Sequence, residues 1–337
     1  MLGRIQVSAG ALAENIAAEK ESMKKKQTVS VIIPTLNGER WLEDLLSALV
    51  RQTLRPDEIF LVDSGSTDST LAIVERYMRK HSFLRLYEMT QKDFDHGGTR
   101  TMAARQTGGD ILVFMTQDAV PADEKALELL IRPFAENNRL AAAYGRQLPV
   151  KDASFFGEHL RRFNYPEQSH LRCRQDWNLY GFKTVFISNS FAAWRRDVLA
   201  EQGYFPEQLL FGEDTVALAK MLEKGYYVAY VSEAAVFHSH NYSILDDFKR
   251  YFDIGVLHET QAKHLLQHGG PAGAGRKYVL SEWALLAEKK KYYLLPESLL
   301  RNLSKFIAYK LGRRFNALPG HWPARFSMHP SWWRQQF

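Results

Sequence analysis

Four short stretches carry residues that could do chemistry. Asp63 closes EIFLVD, Gln117-Asp118 closes DILVFMTQD, Glu213-Asp214 sits in FGEDT, and His238-Ser239-His240 follows AAVF. A carboxylate at the end of a buried strand, such as Asp118, can hold a divalent cation whose other ligands are phosphate oxygens, as Mg2+ and Mn2+ prefer. The same Asp118 could instead cap the helix that follows it. Glu213 and Asp214 open a helical stretch, where they would complement the helix dipole. Alternatively, Asp214 acts as a general base toward a sugar hydroxyl attacking an activated carbon. His238 and His240 share one face if their strand continues, and could bind metal, contact phosphate or simply pack. Arg100 and Arg105 flank one helix, five residues apart. Of the two, Arg105 is the expected diphosphate contact, because a basic group offsets the charge on a departing nucleotide.

These residues need elements to hold them. Val29, Val31, Ile32 and Ile33 form an apolar run that suits a central parallel strand. It ends at Pro34, and the polar loop Thr35 to Glu39 follows. Residues 41–52 repeat leucines at helical spacing. A second strand, 58–62, delivers Asp63 to its carboxyl end, where open α/β sheets place ligands. A helix over 69–80, a third strand over 83–89, a helix over 99–107 and a buried strand over 110–115 follow. Pro121 is expected to begin a helix running to Phe134, and 140–144 to form another strand. Residues 145–184 lose regular periodicity while staying rich in aromatics and arginine, which suggests a functional insertion. Beyond it the pattern predicts a strand over 185–194, a short helix over 195–202, a helix over 215–224, two short strands over 226–231 and 235–237, and a long helix over 244–267. GGPAGAG at 269–275 reads as a boundary, and 276–311 as one or two helices.

The chain has 337 residues, 45% of them apolar, enough for one large core or two domains. Its single cysteine, Cys173, excludes an intrachain disulfide and fits a reducing compartment. No stretch reads as a membrane span, and the start lacks the apolar core of a signal peptide. The charge is uneven: residues 271–337 hold 12 Lys or Arg against 3 Glu, although the whole chain is only +6. A basic tail on a near-neutral body argues against a nucleic-acid enzyme and for an anionic surface as partner. Trp and Tyr among those lysines point to a membrane interface, with tail helices packed on the body as the plainer alternative. No phosphate-binding P-loop, dinucleotide glycine fingerprint or Gly-x-Ser-x-Gly elbow is present.

VSVIIPTLNGE, FLVDSGSTDST, DILVFMTQDAVP and FGEDTVALAKMLEKGY, in this order, resemble the family 2 glycosyltransferases of GT-A fold over residues 28–265. FDHGGTR, TQDAVP, SNSFAAWRRDVL and HSHNY are most similar to bacterial rhamnosyltransferases of cell-surface polysaccharide synthesis. The resemblance implies an α/β fold with a Rossmann-like, mostly parallel central sheet flanked by helices. It implies an N-terminal arm (1–27), a catalytic domain (28–268) with an acceptor-side insertion (145–184), and a basic, aromatic helical extension (269–337). Thr35, Asn37 and Glu39 would line the nucleotide pocket, and Asp63 would bond the pyrimidine. Asp95, His96, Gly97 and Gly98 would help hold the nucleotide sugar. Asp118 would be the metal aspartate of the family's acidic motif, commonly Asp-x-Asp. Gln117 precedes it here, one carboxylate of the usual pair is missing, and His238 or His240 would compensate. Asp214, beside Glu213, would be the catalytic base, with Trp194 and Arg195 on the acceptor side. The implied reaction is an inverting transfer, with Mg2+ or Mn2+, from dTDP-β-L-rhamnose to a polyprenyl-diphosphate-linked glycan at the inner face of the cell membrane. A UDP-sugar donor and a non-catalytic sugar-nucleotide or glycan-binding module are the alternatives; a nucleotidyltransferase would need a basic, Gly-rich loop where Pro34 to Glu39 stands. A homo-oligomer is compatible with the sequence.

Overall fold

The computed structural model describes residues 27–267 and 272–336. The expected N-terminal arm, apart from its last residue, and residues 269–271 of the expected boundary lie outside the described residues, while 272–275 open the helix Ala272–Glu288. One nine-stranded sheet organises the rest, in the order β3-β2-β1-β4-β8-β6-β9-β5, with β7 also paired to β9. The strands are β1 (Val29–Thr35), β2 (Glu58–Asp63), β3 (Leu84–Glu88), β4 (Ile111–Met115), β5 (Val120–Pro121), β6 (Leu140–Leu148), β7 (His170–Arg172), β8 (Phe191–Arg195) and β9 (Tyr227–Phe237).

The first four strands of that order, β3-β2-β1-β4, are parallel, as the continuous apolar runs of β1, β2 and β4 predict; β3, LRLYE, is a mostly exposed edge strand. Beyond them β8 runs antiparallel to both β4 and β6, while β6 and β9 are parallel, so the sheet as a whole is mixed. Apolar side chains on its two faces pack under separate helical layers. One layer is led by Leu42, Leu45, Leu46 and Leu49 of the helix Glu39–Val50, the other by Val216, Leu218 and Leu222 of the helix Glu213–Glu223.

Several elements differ from the sequence pattern. Val120 and Pro121 pair with β9 instead of starting a helix, and Ala122 N donates to Ala235 O. The helix therefore begins only at Ala126, after Asp123 Oδ1 has accepted from Lys125 N. The two short strands expected over 226–237 are one strand, with a register shift opposite Gly145/Arg146. Residues 145–184 are not irregular throughout: Ser154 caps a helix, Phe155–Asn164, and β7 adds to the sheet. The expected strand over 185–194 is confined to Phe191–Arg195.

The helical extension docks through the helix Leu295–Gly312, which crosses the helix Ile244–Thr260. Gly255 and Gly312 meet at this crossing, where any Cβ on Gly312 would run into the Phe252 carbonyl. The chain then returns: Met328 N donates to Asp253 Oδ2 and Trp332 Nε1 to Gln208 O. Trp333 is buried against Phe252 and Phe315. Among the described residues no helix is long and apolar enough to cross a membrane.

Candidate active site

Topology gathers the predicted residues at one edge. Because β1 and β2 are parallel in register, Thr35 lies beside Asp63, and the loop after β4 brings Asp118 next to them. β9 ends at the same edge, with Phe237 paired to Val120, so His238 and His240 arrive beside Asp118. β8 enters from this edge, placing Asn189 there as well. A cleft of about 1670 Å³ opens above the edge. It exceeds the ~300–1,000 Å³ of an ordinary small-molecule pocket and has room for two substrates.

Asp118 faces both histidines, at 3.4 Å from His238 Nε2 and 3.8 Å from His240 Nε2. One ligand atom from each residue lies within 4.8 Å of the others. The protonation of His238 follows from its neighbours. Arg161 Nη1 can only donate, so the Gln147 atom it meets is oxygen, and the same Oε1 lies 2.9 Å from His238 Nδ1. Nδ1 therefore carries a hydrogen, and in neutral His238 it is Nε2 that offers a lone pair toward Asp118. Two acceptors facing each other suit a cation between them, and a carboxylate with two imidazoles suits a divalent metal. When His238 is instead protonated on both ring nitrogens, its hydrogen bond and charge outweigh burial and hold the Asp118 carboxyl below its usual range. Burial lowers His240 to about 4, which keeps it neutral and able to ligate.

Glu213 and Asp214 start their helix from Gly212, whose φ of +79° is the left-handed conformation that glycine adopts freely. Glu213 is buried and ionised. Burial pushes its pKa up, but Arg100 Nη1 at 3.3 Å and the nearby His96 bring it down. Asp214 lines the cleft and is pushed up to about 6, first by burial and then by the Glu213 charge. Its carboxylate accepts from Asn189 N at 2.9 Å and Thr215 N at 2.7 Å. A carboxylate so placed is a base matched to near-neutral pH.

The loops after β1 and β2 are laced together. Asn37, at φ +47°, receives Thr67 N on its side chain, while its own N donates to Ser66 Oγ. Glu39 accepts from Ser69 N. Asp63 is fully buried and accepts from Thr35 Oγ1, Gly65 N, Ser66 N and Ser66 Oγ, so here its carboxylate shapes the turn. Thr35 faces the cleft. Gln117 clamps Leu36, accepting from its N and donating to its O, both at 2.9 Å. An aspartate could accept but not donate, which gives the amide at 117 a structural reason. Asp95 caps the helix His96–Gln106 by accepting from Gly98 N. Gly97 packs against the Pro206 carbonyl. Asp95 and His96 both reach the cleft, and burial lowers the His96 pKa.

Three expectations are corrected. Arg105 is exposed, stacked over Tyr204 and away from the cleft; Arg100, on the inner face of the same helix, reaches it. Trp194 lies in the core with its Nε1 on Asn189 Oδ1, so it positions Asn189 and does not meet an acceptor. Arg195 pairs opposite Ile111, at the far end of the sheet, and binds the carbonyls of Phe134, Asn137 and Leu140.

The sequence also concealed contributors. Arg161, from the 145–184 segment, lines the cleft, and among the described residues no carboxylate is in salt-bridge range of it and its Nε has no hydrogen-bond partner. His329, from the tail, packs edge-on against His96 at 5.4 Å. No local motif marks either residue; each is brought in by a distant crossing of the chain.

The model for glycosyl transferase family 2 matches residues 30–203. The chain belongs to this family. It is 40% identical over 306 residues to the O-antigen chain rhamnosyltransferase RfbN of Salmonella typhimurium, spanning 90% of this chain and 96% of that protein. It is 39% identical over 307 residues to WbaN of Salmonella anatum, described likewise, spanning 90% and 95%. Among solved structures, the mannosyltransferase PcManGT of Pyrobaculum calidifontis, in complex with GDP-Man and Mn2+, superposes with a TM-score of 0.61 at 18% identity, covering 92% of this chain and 96% of that one. That likeness shows the shared GT-A-like fold. This glycosyltransferase is therefore an inverting, nucleotide-sugar-dependent enzyme acting on a glycan acceptor.

Proposed function

We propose that this glycosyltransferase moves L-rhamnose from dTDP-β-L-rhamnose to a hydroxyl of a polyprenyl-diphosphate-linked glycan at the cytoplasmic membrane face. The observation that carries the chemistry is the half-buried Asp214, poised near pH 6, in the same cleft as Asp118, His238 and His240. The rhamnose assignment is supported by likeness, over nine-tenths of each chain, to two O-antigen chain rhamnosyltransferases.

In this reading Asp214 takes the proton of the acceptor hydroxyl as its oxygen bonds to the anomeric carbon. The bond from that carbon to the diphosphate breaks on the opposite face, so a β donor gives an α linkage. Glu213 stays ionised beside Arg100 and keeps Asp214 basic. Arg161 and Arg100 stand in the cleft as donors to the diphosphate. Asp118, His238 and His240 would hold a divalent cation, Mn2+ or Mg2+, which neutralises charge on the leaving diphosphate when bound. The laced loops carrying Thr35, Asn37, Glu39 and Asp63 form the nucleotide wall, with Asp95, His96, Gly97 and Gly98 at the sugar end. Apart from Arg161, the 145–184 segment forms the acceptor side.

Calorimetry with dTDP-L-rhamnose, UDP-glucose, UDP-N-acetylglucosamine and GDP-mannose, each with and without Mn2+, tests this. Selective, metal-strengthened binding of dTDP-L-rhamnose is expected. Preference for a UDP-sugar would replace rhamnose, and binding without turnover, unchanged by Asp214→Asn, would indicate a non-catalytic module.

A further inference from the structure

The helix Leu295–Gly312 is built inside out. Its buried face carries Ser298, Arg301 and Lys305, with only the small Ala308 and Gly312 beside them. Arg301 pairs with Asp247 at 2.7 Å and Glu297 at 2.8 Å, and Lys305 lies 3.6 Å from Asp247. Its outer face carries Leu299, Leu300, Leu303, Phe306 and Ile307, each 45–60% exposed. Their spacing places all five on one stripe of a 3.6-residue helix. A helix that only had to pack on the body in water would be oriented the other way round. Leu280 and Trp283 on the adjoining helix Ala272–Glu288, with Tyr292 and Tyr293 in the connection, extend the exposed apolar surface. Contiguous apolar surface of this kind marks an interaction site.

We propose that this stripe is a membrane-docking face. Residues 272–314 hold ten Lys or Arg against three Glu, and Arg276, Lys277, Lys290, Lys310 and Arg314 are exposed. An apolar stripe with cations around it is the pattern of a helix lying in an anionic lipid interface, leucines at the acyl boundary and lysines among headgroups. The stripe is continuous with the catalytic cleft, because Phe306 belongs to both, and Lys310 and Arg313 line the cleft beside it. Docking would set the mouth of the cleft at the level where a lipid anchor presents its first sugars. A second copy of the chain fits less well: it would bring two net-positive surfaces together and cover that mouth. The purpose assigned to docking rests on the lipid-linked acceptor proposed above, but the docking itself is measured without any acceptor.

The test is co-sedimentation of the full chain with vesicles of 3:1 phosphatidylethanolamine and phosphatidylglycerol, against pure phosphatidylcholine. Binding to the anionic vesicles is expected, weakened by salt. Leu299→Gln, Leu300→Gln and Leu303→Gln together should weaken it by about tenfold or more, at roughly a factor of several for each half-exposed leucine. Lys277→Glu with Arg314→Glu, a second variant outside the cleft, should remove much of the salt-sensitive part. Absence of vesicle binding, equal binding by the leucine variant with its melt intact, or a wild-type dimer that this variant turns into a monomer would each overturn the proposal. Donor binding, measured in solution, reports separately on the transfer reading: its absence beside intact vesicle binding would sink that reading alone.

Discussion

Replacing Gln147 with Met tests the logic of the metal set most directly. Gln147 Oε1 accepts from both Arg161 and His238 Nδ1, and that second bond fixes the histidine's tautomer and ring plane. Without it, Nε2 is no longer committed as a lone pair facing Asp118. Loss of such an outer partner typically lowers metal affinity by about 10–100-fold, or roughly 1.4–2.7 kcal/mol. The Met variant also strips Arg161 of an acceptor while its Nε is already unpaired, so about 1–3 kcal/mol of stability should go with it. Gln147→Glu separates the two effects. It keeps an acceptor for both donors, and Ser188 Oγ, now the acceptor of the Gln147 amide at 3.2 Å, can donate in its place. The assay is Mn2+ titration by electron paramagnetic resonance, with and without a nucleoside diphosphate, beside a thermal melt. The Met variant should bind Mn2+ about 10–100-fold more weakly and the Glu variant at least as well as the parent. A well-folded Met variant with parental Mn2+ affinity, or a Glu variant that fails to restore it, would refute the tautomer argument.

Asp214→Asn should lower kcat by about 10²–10⁴-fold while calorimetric donor binding persists. Because Asp214 must be ionised to accept a proton, and burial with Glu213 raises its pKa to about 6, kcat/KM should fall as pH drops through about 6, a limb absent from the Asn variant. Arg100→Met leaves Glu213 buried without its cation and should destabilise by about 3–5 kcal/mol; Arg100→Met with Glu213→Gln should melt higher than the single variant, and equal melts would discount the pair. Gly312→Ala places a methyl against the Phe252 carbonyl and should cost about 1–3 kcal/mol by prising the two helices apart, read as a lowered Tm.

The catalytic edge was legible because its signals are local. Apolar runs that end in Pro34, Asp63 and Asp118 announce strands whose polar ends meet whenever the strands are parallel, and β1, β2 and β4 are. Glu213-Asp214 and the 238–240 histidines likewise sit where a run of buried residues changes character. What resisted reading depends on rotation and direction. Arg100 and Arg105 differ by about 140° around their helix, at ~100° per residue, so only one can face the cleft, and no local rule says which.

The amino-acid sequence by itself determined the element types over most of the chain, the family, and the carboxylates at the strand ends, because strand and helix periodicity and loop chemistry are short-range properties. Tertiary structure decided which neighbours share the cleft. β8 begins beside the site, two residues after Asn189, and at ~3.3 Å per residue runs about 13 Å from Phe191 to Arg195, so one continuous motif holds both a site residue and a structural anchor at the opposite end of the sheet. Tertiary structure alone also brought Arg161 and His329 into the cleft and turned the apolar face of Leu295–Gly312 outward. That last choice follows from Asp247: its carboxylate draws Arg301 and Lys305 inward, and the leucines are left facing out.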